Sequence, residues 1–289
     1  ELYADAVDLL LHRWELQRVQ RDATGALLAV AQPSLAEYLK VDRSQLLAAL
    51  NRLAFQVHAI QHDLVDVANI AEQDLVAALL AISRNAQANP VLLMDYLSHR
   101  AGLLLPHGIG VYTFPHRTFQ EYLAACHLTD EGYPDQVAEL VRNNPNRWRE
   151  VALLAGAKAT RGATSAFWSL IDALTYRNPT DPAYSTADHW GALLAGQAVA
   201  ETVNLATLSP RYQAKITQLR DSLLHLMRTS VLPALERARA GRLLALLGDP
   251  RPEVLSVEQM HFCAVPAGPF MMDDGEEQYP DTIAYPYWI

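Results

Sequence analysis

A mostly α-helical fold is predicted by three observations. Hydrophobic residues make up 51% of the 289-residue chain, and Ala and Leu outnumber Val and Ile among them; Ala and Leu lose the least conformational freedom in a helix. Apolar residues recur three and four apart along most of the chain, the spacing that lays one stripe down a helix face. The breaks between these stretches are short and carry Asn, Pro, Gly and Asp, residues that turn a chain rather than extend it. Length and apolar content together predict roughly two domains with sizeable cores.

The first stripe is Tyr3, Ala6, Val7, Leu10 and Trp14, one face of a helix of about five turns. A charged stretch with Gly25 breaks it. Ser34-Leu-Ala-Glu37 has the form of a capping box, in which the hydroxyl and the carboxylate satisfy each other's backbone N–H groups. Asp42 is placed to cap a helix over 43–61, whose Leu46, Leu47, Leu50, Leu53 and Val57 share a face. Further helices are expected over 72–84 and 91–100, the second stopped by Gly102. The apolar runs 103–105 and 111–114 flank Pro106-His-Gly-Ile-Gly110, which reads as the turn of a β-hairpin. Helix resumes over 117–128. Several helices, a small hairpin and another helix make the layout of a winged-helix domain.

From Asp135 onward the pattern is helix after helix, over about 148–158, 163–175, 187–203, 210–227 and 233–247. Helices of this length with brief turns suggest stacked pairs, a HEAT-like helical array, although no strict repeat period is present. Around Gly248-Asp-Pro-Arg-Pro252 the composition changes to Phe262, Tyr279, Tyr285, Tyr287 and Trp288 among Pro and Gly. Helical spacing is lost there, and a short β-rich stretch is expected. Three segments result: a helical and winged-helix part over 1–130, a helical array over 131–250, and the start of a further domain over 251–289. The chain begins at Glu1 and ends at Trp288-Ile289 inside a strand-like run, so both ends read as cut.

Lys and Arg number 23 against 32 Asp and Glu, a net charge of −9, with no basic run. Clustered cations supply most non-specific nucleic-acid affinity, so no nucleic-acid partner is expected. The 91–100 stretch offers only His99 and Arg100 as cations and carries Asp95, which suits packing on protein rather than a major groove. No apolar run reaches the length of a membrane span, and no signal peptide is apparent. Cys126 and Cys263 lie far apart and form no Cys-x-x-Cys, a usage that fits a reducing cytoplasm.

Tyr112-Thr-Phe-Pro-His-Arg-Thr-Phe-Gln-Glu-Tyr-Leu-Ala-Ala125 resembles the end of the winged-helix segment of NACHT-domain signalling NTPases, where Phe-x-His and then Phe-Gln-Glu-Tyr recur. Arg100-Ala-Gly-Leu-Leu104 is similar to that family's run before the wing. Glu1-Leu-Tyr3 with Leu9-Leu-Leu-His-Arg-Trp14 looks like the first helix after its nucleotide-binding core. The resemblance covers residues 1 to about 130 and implies an upstream NACHT ATPase core, ADP or ATP with Mg held in that core, and homo-oligomerisation on activation. For a bacterial relative it implies defence signalling. It also implies that His116 reaches the phosphates of bound ADP and holds an inactive state. The residues alone leave two roles open for His116: it stands where a strand passes into a helix, beside backbone N–H groups that can meet an anion, and it is equally placed to cap the helix or pack beside the wing.

Ala240-Gly-Arg-Leu-Leu-Ala-Leu-Leu-Gly-Asp-Pro-Arg251 and Phe262-Cys-Ala-Val-Pro-Ala-Gly-Pro-Phe-Met271 resemble the lead-in and first strands of the formylglycine-generating, sulfatase-modifying family. Met271-Met272-Asp273 stands where that family has Met-Gly-Ser. Its catalytic cysteines lie far downstream, and Cys263 is not one of them. The alternative function is therefore an accessory scaffold of such a protein.

No catalytic residue and no metal ligand is assigned. Gly-x-x-x-x-Gly-Lys-Ser/Thr is absent from the sequence, so this stretch cannot cradle a triphosphate, and ATPase activity belongs to the parent protein. His58 and His62, four apart, would suit a shared metal, but Ala59 stands where a zinc protease carries its general-base Glu; solvated surface histidines are the expectation. Asp273-Asp-Gly-Glu-Glu277 lacks the alternating ligands of a calcium loop. Phe119, Tyr122 and Leu123 fall at core spacing. Gln120 and Glu121 are open between bonding within the domain, facing the ATPase core, and a solvated helix face.

Overall fold

The computed structural model describes residues 2–15, 18–21, 27–62, 66–98, 102–273 and 278–289. Gly25, His99, Arg100, most of the acidic turn at 273–277, and the side chain of Trp14 lie outside the described residues. The fold is mostly α, as the sequence predicts, with a few short strands.

Helix α1 (Leu2–Glu15) buries Val7 and Leu11, and Tyr3 stacks on Tyr122 at 6.1 Å between ring centroids. Where the sequence shows only a break, β1 (Arg18–Arg21) and β2 (Leu27–Gln32) form an antiparallel hairpin, Val19 opposite Val30. A four-residue strand is too short for alternation to emerge from its neighbours. Helix α2 (Leu35–Leu39) opens with the expected capping box: the Glu37 N–H donates to Ser34 Oγ at 3.2 Å and the Ser34 N–H to Glu37 Oε2 at 2.8 Å.

Helix α3 (Arg43–Ile60) is followed by β3 (Ile70–Ala71), α4 (Glu72–Ile82), α5 (Pro90–Ser98), β4 (Leu105–Pro106) and β5 (Val111–Thr113). The strands form one sheet in the order β3-β5-β4, Ile70 opposite Tyr112 and Leu105 opposite Thr113. This is a winged helix. The wing turn carries Gly108 at φ 92° and Gly110 at φ 68°, values that a side chain resists and glycine adopts freely. The two-residue β3 has no signature in the sequence, because its pairing is set by the wing and not by its own residues.

Helix α6 (Arg117–Glu131) belongs to two cores. Leu123 closes the first, which runs from Val7 through Leu46, Leu75, Leu97 and Phe114. Ala124, Ala125 and Leu128 open the second, shared with α7 (Asp135–Asn143), α8 (Pro145–Gly162), α9 (Thr164–Leu174), α10 (Thr186–Thr202), α11 (Pro210–Arg228) and α12 (Ala234–Leu247). Burying each Leu or Phe of these cores stabilises by roughly 1.5–3 kcal/mol. Trp168 on α9 stacks on Tyr212 of α11 at 4.5 Å, and Arg149 on α8 pairs with Glu236 of α12 at 2.8 Å. Helix α8 starts three residues ahead of the expected 148 because Asn144 caps it, its Oδ1 3.3 Å from the Arg147 N–H, and Pro145 suits the first helical position.

Leu247 is the last residue of either core. Beyond it come two short 3-10 turns, then β6 (Ala264–Val265), β7 (Gly268–Asp273), β8 (Gln278–Ile283) and β9 (Tyr287–Trp288), with β6 on β9 and β7 on β8. Phe262, Phe270, Met271, Tyr285 and Trp288 are exposed there. No helix among the described residues is long and apolar enough to cross a membrane.

Candidate functional site

Strand β5 delivers the chain to the N-terminus of α6, and Phe114, 1% exposed, anchors the junction in the first core. His116 follows as the N-cap of α6 with extended backbone, φ −153° and ψ 150°. Its Nδ1 accepts the Thr118 N–H at 3.2 Å and lies 2.9 Å from the Thr118 hydroxyl. The ring is exposed. With Nδ1 committed as an acceptor, the neutral imidazole carries its proton on Nε2, and Nε2 has no protein partner among the described residues. Capping and an outward N–H donor thus use different nitrogens, so the two roles the sequence left open do not compete.

The backbone around it is less open than expected. The Thr118 N–H is taken by the His116 ring, and the Phe119 N–H donates to the His116 carbonyl at 3.0 Å. The positive end of the α6 dipole remains, but any anion here would be met chiefly by the imidazole.

Gln120 and Glu121 are not a solvated face. Gln120 is fully buried: its Oε1 accepts the Ala68 N–H at 2.8 Å, and its Nε2 lies 3.0 Å from His58 Nδ1 and 2.9 Å from Gln61 Oε1. Glu121, 4% exposed, accepts from Arg117 Nε at 2.7 Å one turn away. The expectation that Leu123 is core holds, while Phe119 and Tyr122 are half-buried against the same cluster.

His58 overturns the surface reading. It is 0% exposed, and α3 ends at Ile60, so His62 no longer shares a helical face with it. Both ring nitrogens are engaged, Nδ1 by Gln120 and Nε2 by the Arg147 carbonyl at 3.1 Å. Arg147 answers from α8: its guanidinium donates to the carbonyls of His58 at 2.5 Å, Ala59 at 2.8 Å and Gln61 at 2.7 Å. These are the orphan acceptors at the end of α3, where a cation is also favoured by the helix dipole. The Trp148 ring stands edge-on to His58 at 5.0 Å. Burial holds the His58 ring below its ordinary value of 6.5, against the raising effects of the Arg147 carbonyl and Glu121. No sequence signal marks this joint, because its members come from residues 58, 61, 68, 120 and 147.

The exposed face of α5 carries Val91, Leu92 and Met94, and the wing tip carries Ile109. Residues 90–98 hold no Lys or Arg, so the described part of the helix before the wing lacks the cations that grip phosphates. Cys126 is buried and Cys263 exposed, both unpaired.

Residues 1–128 match the family model described as a winged helix-turn-helix domain C-terminal to NACHT. The match supports, for this segment, a winged helix similar to those that follow a NACHT domain. No curated protein and no solved structure matches the chain.

Proposed function

We propose that this chain is the regulatory part of a cytoplasmic NACHT ATPase, in which His116 closes on the diphosphate of ADP, held with Mg in the upstream NACHT core. The single observation that carries the reading is the His116 ring itself: exposed at the start of α6, fixed through Nδ1, and left with Nε2–H as a donor. Exchange of ADP for ATP would remove the preference for the closed state, since a nucleotide shifts an equilibrium only by its difference in affinity for the two states. Release would permit homo-oligomerisation, with the helices of residues 131–250, read as a HEAT-like array, sensing or assembling. The segment boundaries at 130 and 250 belong to this proposal.

The test is made in the full-length protein. His116→Ala should weaken ADP retention and raise basal activity. His116→Asn keeps a good capping acceptor but shortens the reach and removes the imidazole donor, so it should reproduce the gain of activity without the loss of the cap. Unchanged nucleotide affinity and basal signalling in both variants would rule the role out.

A second reading rests on the sequence resemblance of residues 240–271 alone; residues 251–289 form paired strands that expose Phe270, Met271, Tyr285 and Trp288. These would be the first strands of a formylglycine-generating-type domain, with the helices as its accessory scaffold. The full-length polypeptide separates the readings: a P-loop upstream supports the switch, and a downstream domain with its catalytic cysteines supports the scaffold.

A further inference from the structure

We infer that the joint of α3, α6 and α8 is a proton-operated latch: neutral His58 closes the winged helix onto the helices that follow, and a second proton on its ring opens it. The hydrogen-bond pattern requires one tautomer. The Arg147 carbonyl can only accept, so His58 Nε2 must carry a proton. Gln120 Oε1 is spent on the Ala68 N–H, which fixes the amide and turns its Nε2 toward Gln61 Oε1 and His58 Nδ1. Nδ1 must then be bare. Protonating it sets N–H against N–H. Turning the Gln120 amide gives no relief, because its NH₂ would then face the Ala68 N–H and its oxygen the Gln61 oxygen.

The charged groups acting on the ring are Glu121 and Arg117 from α6 and Arg147 from α8. Both arginines oppose a positive ring. Glu121 favours one, but its carboxylate is already bonded to Arg117 at 2.7 Å. Burial adds to the opposition and places the ring below 6.5 in the folded chain. The sign follows: a depressed histidine contributes stability that is complete above its unfolded value and is lost as pH falls through the folded one. The latch is therefore closed at neutral pH and opens on acidification. Its place matters because α6 is the element shared by both cores. The inference does not depend on the role of His116.

Two measurements on the 289-residue chain test it. Ring ¹⁵N resonances of His58 should report the Nε2–H tautomer at neutral pH. Amide exchange at Ala68, corrected for its intrinsic pH dependence, should lose about tenfold in protection between about pH 8 and about pH 5. The non-titrating His58→Gln variant should hold its protection within about twofold over that range. An Nδ1–H tautomer or a doubly protonated ring at neutral pH would overturn the latch, and so would constant protection of Ala68 in the wild type. Loss at Ala68 in step with the amides of α11 would mean global unfolding and would overturn it too. If His58→Gln fails to fold, the ring resonances and the Ala68-against-α11 comparison in the wild type still decide.

Discussion

Replacing Arg147 by alanine removes one guanidinium and three hydrogen bonds to the end of α3, at 2.5, 2.8 and 2.7 Å. A hydrogen bond with a charged partner contributes about 1.5–3 kcal/mol net, so three independent ones would sum to more than about 5 kcal/mol. They are not independent, since they share one donor group. Arg147 and Gln61 are also only half-buried, which lets water reach part of what the truncation exposes. The expected loss is therefore about 2–4 kcal/mol. Arg147→Lys should recover about half of it, because a single ammonium cannot span three carbonyls as the planar guanidinium does. Urea unfolding followed by far-UV circular dichroism measures this: the midpoint should fall at unchanged slope. A midpoint for Arg147→Ala equivalent to less than about 0.5 kcal/mol of loss, the range of ordinary surface substitutions, would refute the cap argument.

Two further outcomes follow from the second core. A β-carbon at Gly191 of α10 would sit 2.2 Å from the Leu174 carbonyl oxygen, so Gly191→Ala should cost about 1–3 kcal/mol as α9 and α10 are pushed apart, read as a lower unfolding midpoint. Asp188, 3% exposed, pairs with Arg142 and with Arg177 at 3.3 Å and accepts the Ser185 N–H at 2.8 Å. Burial pushes its carboxyl up, but the Ser185 hydroxyl and N–H and Arg142 outweigh burial and leave it below the ordinary 3.8. That depressed value means stability present above 3.8 and lost as pH falls through the folded value. Asp188→Asn should destabilise the chain by about 3–5 kcal/mol at neutral pH and flatten the acid limb of its stability curve; an unchanged limb would remove Asp188 from that role.

Much of the fold was legible because its causes are local. Ser34 and Glu37 sit three apart and cap α2 in the expected way. The wing was readable from Gly108 and Gly110, whose positive φ values any other residue would resist. His116 was singled out through the motif around it, and its place at the strand-to-helix junction is as read. The β1–β2 hairpin and β3 were missed because strands of two to six residues show no reliable period, and β3 exists only by pairing with β5.

By itself, then, the sequence determined what each stretch could become: apolar spacing set the helices and turn residues set their ends. Only the tertiary structure decided which polar side chains are buried. His58 reads from its own helix as solvent-facing and Gln120 as undecided, yet both are fully buried, because the groups that satisfy them lie 62 and 89 residues away from His58 and 52 residues away from Gln120. Periodicity reports a helix face, not its neighbour. A buried amide or imidazole is tolerable only when its partners are already in place, and those partners are assembled by the packing of α3, α6 and α8.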